Sequence, residues 1–198
     1  MRAMLNLHRE PLIELLGDAQ YGMGQRAATE KMFRLVEAAV HEHGDNVAVA
    51  LDVTNAFNTM SRHHMMEEVA QDDPALLPTA SIVLARAQRH YFYDDEGHAH
   101  QVVATSGVDQ GDPLSAALFM LGMRKPMTAL QRRMNLDYKL RHAAYMDDSL
   151  LVTRACGLPD LFNIAQEELG RMGLQLNRTK TKLWQPPLDQ CLNLAGGE

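Results

Sequence analysis

Short apolar segments next to acidic residues are the feature that most constrains the fold of this chain. Residues 47–51 form a partly β-branched apolar run, typical of a buried strand, and Asp52 follows it directly. Further along, residues 143–145 and 149–152 are strand candidates separated only by Met146-Asp147-Asp148. Strands joined by so short a turn pair antiparallel, so the chain is expected to build an antiparallel sheet.

Helix patterns lie between these strand candidates. The predicted helices run from Thr29, as the N-cap, to Gly44, over residues 61–71, over residues 75–89, from Asp112-Pro113 onward and over residues 159–171. Residues 91–93 and 101–105 predict a second hairpin, and Lys182–Trp184 predicts one more strand. This order predicts an α+β domain with an antiparallel sheet and helices packed on one face. Residues 1–27 show only a turn-rich stretch around residues 20–26.

The acidic residues beside the strands indicate a site for divalent metal ions. If the two strands are neighbours, Asp52 and Asp147 meet at one edge of the sheet, where their charges repel unless a cation neutralises them. Mg²⁺ takes such oxygen ligands, and two ions about 3.5–4 Å apart can clamp the attacking and leaving oxygens of a phosphoryl transfer. The pairs Asp72-Asp73 and Asp94-Asp95 lie in polar loops and are predicted to be solvated surface, whereas Asp147-Asp148 is flanked by apolar strands.

Four segments of the chain carry a resemblance to one family. They are residues 51–57, residues 110–115 followed by Leu118-Phe119, the tetrapeptide at residues 145–148, and residues 173–177 followed by Lys180 and Thr181. In this order they resemble the catalytic motifs of reverse transcriptases, over about residues 20–184. The second and fourth segments, and residues 20–24 before the first, are similar to the enzymes of non-LTR retrotransposons and group II introns. Met146 departs from the Ala that is more usual in that group.

The resemblance implies the catalytic and metal-binding roles. Asp52 and Asp147 would bind two Mg²⁺ ions, for which Mn²⁺ can substitute, and the backbone carbonyl of Val53 would be a further ligand. Asp148 would be the adjacent acid with a supporting role. Lys180 would protonate the leaving pyrophosphate as a general acid. A solvated surface lysine is an almost equally good interpretation of Lys180, because a second lysine lies two residues on.

The same resemblance implies four nucleotide-binding positions. Phe57 would lie under the sugar of the incoming nucleotide and exclude a 2′-hydroxyl by its bulk. Without the motif, an ordinary core aromatic is the preferred interpretation of this residue. Ala56 would let the nucleotide approach the backbone, and Gln110 would hydrogen-bond near the sugar. Gly111 would allow close backbone approach, and it also fits a plain helix entry.

The expected protein is therefore the catalytic core of an RNA-directed DNA polymerase from a retrotransposon-like element. It would add dNTPs to the 3′-hydroxyl of a DNA primer on an RNA template. Residues 1–46 are assigned to part of the fingers, residues 47–184 to the palm, and residues 185–198 to the start of the primer-grip and thumb region. Complete family members carry further fingers and thumb segments, so only weak processive synthesis, or none, is expected from this chain alone.

Two alternatives remain open from the sequence. An RNA-dependent RNA polymerase is disfavoured by the bulky Phe57, because ribonucleotide enzymes need room for the 2′-hydroxyl. The second alternative is a non-catalytic module of the same fold that binds RNA or a protein partner. The net charge of −6 favours it over a polymerase, because proteins that hold a nucleic-acid duplex usually carry a basic face. The three intact carboxylates argue against such a module.

Bulk features exclude several other classes. No apolar run approaches the length that crosses a bilayer, and the N-terminus lacks the layout of a signal peptide. Cys156 and Cys191 are too few for a disulfide framework or a zinc site. An intracellular protein is expected, and the family favours a nuclear location.

Overall fold

The computed structural model describes residues 2–186. Its helices are α1 (Arg2–Leu7), α2 (Arg9–Leu16), α3 (Ala28–His41), α4 (Ala56–Thr59), α5 (Arg62–Asp72), α6 (Leu77–Leu84), α7 (Pro113–Met134) and α8 (Leu158–Gly170). Short 3₁₀ turns at Pro74–Leu76 and Ala155–Gly157 precede α6 and α8. Its strands are β1 (Asn46–Leu51), β2 (Gln88–Tyr93), β3 (Ala99–Ala104), β4 (Arg141–Tyr145), β5 (Asp148–Arg154) and β6 (Lys182–Trp184). All six predicted strand segments are thus found, most of them longer than predicted.

The central sheet has four strands in the order β4-β5-β1-β6, and every neighbouring pair is antiparallel. β2 and β3 form a separate two-stranded hairpin. The predicted antiparallel sheet and α+β class are therefore confirmed. β1, which Asp52 follows directly, is an interior strand of the sheet, and its neighbour β5 begins directly after Asp147.

The core lies mainly on one face of this sheet. Val49, Leu51 and Leu151 belong to a large apolar cluster that includes the inward side of α7. Ala48 and Val152, which alternate with them, point to the other face and belong to a smaller cluster with α3. Most of the described helices pack on one face of the sheet, as predicted, whereas α3 packs on the opposite face.

The longest helix, α7, has 22 residues and runs through the centre of the core. Asp112 caps its first turn, because its carboxylate accepts hydrogen bonds from the N–H of Ser115 (3.1 Å) and from the hydroxyl of Ser115 (3.0 Å). Leu114, Leu118 and Phe119 are completely buried. The start predicted at Asp112-Pro113 is therefore confirmed.

Two helix predictions are wrong, and one stretch left unassigned contains helices. Thr29 does not cap α3, because the helix already begins at Ala28 after Ala27, which has a left-handed backbone. The helix predicted over residues 75–89 ends at Leu84. Its last residues instead begin β2 at Gln88, and between the helix and the strand the guanidinium of Arg62 donates to the Arg86 carbonyl (2.7 Å). Residues 1–27, which gave no helix pattern, contain α1 and α2.

The packing of α2 explains why its pattern was missed. The helix has eight residues, and it buries Leu12 and Leu16 against the core. So short a helix depends on tertiary packing, which the local sequence does not reveal. Within the described residues, no helix is long and apolar enough to span a membrane. Cys156 is exposed, and Cys191 lies outside the described residues.

Candidate active site

The acidic residues come together because of the strand order. β1 and β5 pair with Leu51 opposite Ser149, so Asp52 and Asp148, the next residues outward, lie across from each other at one edge. Tyr145 pairs with Asp148 across the β4–β5 hairpin, which leaves Met146 and Asp147 as its two-residue turn. The structure therefore brings all three predicted acids to the same edge of the sheet.

The three carboxylates differ in exposure. Asp52 and Asp147 are partly buried, and Asp148 is exposed. Burial raises the pKa of Asp147 above its ordinary value, and the negative charges of Asp148 and Asp52 raise this pKa further, although a backbone hydrogen bond opposes the rise. The site therefore disfavours three simultaneous negative charges unless a cation balances them.

Two observations bear on whether these residues fit metal ions. The negative charges of Asp148 and Asp52 contribute to the raised pKa of Asp147, so a cation beside these carboxylates would relieve their mutual repulsion, and carboxylate and carbonyl oxygens are the ligands that Mg²⁺ prefers. Across residues 2–186, however, no group of three His, Cys, Asp or Glu side chains is arranged to hold a metal ion. A complete coordination shell would therefore require other ligands, such as substrate phosphates or water.

The backbone around Asp52 is fixed by the fourth motif segment. The N–H of Asp52 donates to the hydroxyl of Thr181 (3.1 Å), and its carbonyl accepts from the N–H of Asn177 (2.8 Å). Thr181 in turn donates to the Asn177 carbonyl (2.8 Å). Lys180 is exposed in this loop, so its position suits a general acid and a solvated surface lysine equally.

Val53, the proposed carbonyl ligand, sits opposite Leu176 in an isolated antiparallel bridge. The hydrogen bonds that define this bridge join the residues on either side, from Asn177 to Asp52 and from Thr54 to Gln175 (both 2.8 Å). Among the described residues, the Val53 carbonyl therefore has no backbone hydrogen bond in this bridge.

The first motif continues into the short helix α4. Asn55 has a left-handed backbone with φ of 49°, after which Ala56 and Phe57 are both buried. The ring of Phe57 stacks on that of Phe119, with centroids 4.3 Å apart and planes 14° apart. The core packing expected from the residue pattern alone is therefore present. It would fix the ring rigidly in place, which the predicted contact with a sugar also requires.

The second motif segment is hydrogen-bonded to the first. The N–H of Val108 donates to the Phe57 carbonyl (2.7 Å), and that of Gly107 donates to the Met60 carbonyl (2.8 Å). Gln110 and Gly111 follow and are exposed. Gly111 has φ of +94°, and a Cβ there would meet nothing within 4 Å. Its glycine is thus required by the backbone conformation and leaves open space beside it.

Several residues that the sequence did not single out support this arrangement. Gly107 is buried with φ of +64°, and a Cβ there would overlap the backbone of Phe57 and Asn58. Arg62 is 8% exposed and donates to the Gly107 carbonyl (2.7 Å), the Arg86 carbonyl (2.7 Å) and the side chain of Gln88 (2.9 Å). These contacts join distant parts of the chain, so no local pattern predicts them.

Comparison with known proteins places these observations in a family. The sequence model described as "Reverse transcriptase (RNA-dependent DNA polymerase)" matches residues 1–190. A stretch of 91 residues is 35% identical to the Retrovirus-related Pol polyprotein from type-1 retrotransposable element R2 of Bradysia coprophila. That match covers 44% of this chain and 10% of the polyprotein. Both findings support the reverse transcriptase domain of non-LTR type that the motifs predict.

Solved structures with the same fold include two telomerases. Apo telomerase from Candida tropicalis, truncated from the C-terminal domain, matches with a TM-score of 0.65 and 11% identity, over 92% of this chain and 40% of that one. Telomerase from Candida albicans, in complex with a fragment of telomeric RNA, matches with a TM-score of 0.60 and 14% identity, over 93% of this chain and 35% of that one. The chain thus spans less than half of each telomerase, and the likeness shows the shared fold.

Proposed function

This chain belongs to the reverse transcriptase family, and we propose that it is the catalytic core of an RNA-directed DNA polymerase that extends a DNA primer on an RNA template. The observation that carries the proposal is the meeting of three acids at one sheet edge. Asp52 directly follows the interior strand β1, and Asp147 and Asp148 lie in the adjacent hairpin. The negative charges of Asp148 and Asp52 contribute to the raised pKa of Asp147, which supports a bound cation at this edge.

The proposed metal-binding residues are those that the resemblance of the motifs implies. Asp52 and Asp147 would hold two Mg²⁺ ions, with the Val53 carbonyl as a further ligand and Asp148 in support. When bound, the ions would activate the primer 3′-hydroxyl and stabilise the leaving pyrophosphate. The chain's own contribution is to fix the carboxylates, because Thr181 and Asn177 hold the backbone of Asp52 on both sides.

The resemblance of the motifs assigns the substrate side to residues of the first, second and fourth segments. Phe57, held against Phe119, would form the floor under the sugar of the incoming dNTP. Ala56 and the open space beside Gly111 would let the nucleotide approach the backbone, and the exposed Gln110 would hydrogen-bond near the sugar. Lys180 would donate a proton to pyrophosphate.

The wider setting is also part of the proposal. The identity to an R2 polyprotein supports an origin in a retrotransposon-like element, whose enzyme would act in the nucleus on chromosomal DNA. The RNA template and DNA primer would lie along the sheet edge that carries the acids. A net charge of −6 implies that the nucleic acid is held mainly by local basic residues or by further segments.

Primer extension on an RNA template tests the proposal. The chain is compared with the Asp147→Asn, Asp148→Asn double variant in Mg²⁺ and in Mn²⁺. A matched control, the Asp94→Asn, Asp95→Asn double variant, removes the same charge from the turn of the β2–β3 hairpin. Metal-dependent dNTP incorporation that persists in the control and disappears in the first variant supports the proposal.

Two outcomes contradict it. Incorporation that survives the Asp147→Asn, Asp148→Asn change places the chemistry elsewhere. If the unaltered chain incorporates nothing, the assay is repeated with fingers and thumb segments supplied by fusion. Continued inactivity, together with salt-sensitive RNA binding, would favour the non-catalytic module.

A further inference from the structure

The turn that contains Asp147 is hydrogen-bonded to a side chain from a distant segment. The N–H of Met146 donates to Oε1 of Gln20 (2.9 Å), and Nε2 of Gln20 donates to the carbonyl of Met146 (3.3 Å). Gln20 thus satisfies both polar groups of the peptide backbone at Met146. It is 126 residues away in sequence and only 8% exposed.

The backbone of Met146 needs such support. Its φ is 57°, in the left-handed region, which residues other than glycine seldom adopt. This conformation is less favourable for a residue with a side chain than the ordinary helical region. Hydrogen bonds at both the N–H and the carbonyl hold the residue there, and the direction of the chain into Asp147 depends on it.

The space beside the turn is incompletely filled. A cavity of about 60 Å³ is lined by Gln20, Met146, Ser149 and His142, among others. The hydroxyl of Ser149 and Nε2 of His142 are buried and have no hydrogen-bond partner in the described part of the chain. The Met146 side chain packs against the core, and the hydrogen bonds of Gln20 hold its backbone in addition.

Gln20 is itself firmly placed. Residues 19–22 run beside β4 in parallel register, with Tyr21 N–H donating to the Ala144 carbonyl and Ala144 N–H donating to the Ala19 carbonyl (both 2.7 Å). Gly22 N–H also donates to Oε1 of Gln20 (2.9 Å). A Cβ on Gly22 would lie 3.0 Å from the N of Met146, so glycine permits this close approach.

We propose that Gln20 is a positioning residue, which sets the direction of the Asp147 carboxylate by fixing the Met146 peptide groups. This inference rests on the proposed function, because it assigns Gln20 a role in the metal-binding edge. A purely structural Gln20 would affect the stability of the fold and leave metal affinity and turnover per folded molecule unchanged.

The main test variant is Gln20→Met, which has similar size and removes all three side-chain hydrogen bonds. Gln20→Glu is the second variant, because it keeps the acceptor for Met146 and Gly22, loses the donor to the Met146 carbonyl and adds a negative charge. Gln25→Ala is the matched control, since Gln25 lies in the same segment and its side chain accepts a hydrogen bond from Lys31 (3.2 Å). Circular dichroism and denaturant unfolding establish which variants are folded.

Two readouts separate positioning from structure. Mn²⁺ affinity of the free protein is measured by electron paramagnetic resonance, which requires no activity. Primer extension gives kcat and the KM for dNTP. For Gln20→Met we expect weaker Mn²⁺ binding and a kcat lower by roughly tenfold to a hundredfold, with KM for dNTP little changed, because small misplacements of a catalytic group have effects of this size. Gln20→Glu should fall between, and Gln25→Ala should match the unaltered chain.

The outcomes distinguish this inference from the proposed function. If the unaltered chain binds Mn²⁺ and incorporates dNTPs, and folded Gln20→Met does both equally well, only the positioning role is overturned. If Gln20→Met does not fold, the folded Gln20→Glu variant decides in the same way. If the unaltered chain neither binds Mn²⁺ nor incorporates dNTPs, even with fingers and thumb segments supplied, both proposals fail.

Discussion

The stacked pair of Phe57 and Phe119 allows stability and nucleotide choice to be separated by mutation. Both rings belong to the core, but only Phe57 follows the Asp52 motif and is proposed to lie under the sugar. Phe57→Ala should therefore lower both the free energy of unfolding and the discrimination against ribonucleotides. Phe119→Ala should lower the free energy of unfolding alone.

The expected magnitudes follow from burial. Phe57 is 7% exposed and Phe119 is 0% exposed, so each change to Ala removes a nearly or fully buried ring. Such changes cost roughly 3–5 kcal/mol, and the stacked contact itself is worth about 0.5–1.5 kcal/mol in a double-mutant cycle. Since whole domains are stable by only about 5–15 kcal/mol, Phe57→Leu and Phe119→Leu are used as milder versions in parallel.

Denaturant unfolding of both single variants and the double variant measures the stacking energy, and primer extension with dNTPs and rNTPs measures selectivity. Phe57→Ala should raise relative rNTP use by roughly tenfold or more, the range expected when a pocket gains space for a small group. Phe119→Ala should leave the ratio within about twofold. A coupling near zero would contradict the stacked geometry. A ratio that changes equally in both variants would refute the steric role of Phe57.

Three other predictions concern contacts around the site. Gly107→Ala should lower the free energy of unfolding by more than Gly97→Ala, because both glycines have a left-handed φ but only Gly97 has open space around it. The difference measured by denaturant unfolding therefore reports the overlap with the backbone of α4. Equal losses would contradict that close contact. Arg62→Lys should lower the free energy of unfolding by about 1–3 kcal/mol in the same assay, because one ammonium group cannot reach all three acceptors of the guanidinium. The same change at the exposed Arg89 should lower it little. Equal losses would argue against the three hydrogen bonds of Arg62. Asp147→Asn should stabilise the fold at neutral pH in metal-free buffer. The raised pKa means that ionised Asp147 opposes folding, so the gain should disappear as pH falls through that pKa, and a gain that persisted in acid would refute this account.

The sequence predicted the elements whose signals are local. Residues 47–51 and the hairpin around Met146-Asp147-Asp148 carry their own apolar runs, and Asp112-Pro113 carries its own cap, so each was placed correctly. Strand pairing then followed from the short turn. The acids could be assigned to one edge because each is adjacent to a strand that the pattern already identified.

The predictions that failed depend on contacts between distant segments. The segment after α6 is hydrogen-bonded by the distant Arg62, and α2 buries Leu12 and Leu16 in the core. Neither effect has a signature in the residues concerned. The assigned roles of Gln110, Gly111 and Lys180 stay predictions, because their side chains or backbones are exposed and touch no described group that would reveal a function.

The backbone conformation of Met146 and the negative charge of Asp147 are both unfavourable at the edge that carries the acids, so contacts from elsewhere in the chain are needed to hold this edge. Asp147 follows a left-handed Met146, and its charge is opposed by burial and by two other acids. Separate parts of the chain fix this edge, since Gln20 holds the Asp147 turn while Asn177 and Thr181 hold Asp52. Local unfavourable conformations persist only when the surrounding structure over-determines them. The first and third motif segments are therefore each held by contacts from elsewhere in the chain, and under the proposed function loosening either set of contacts should weaken metal binding.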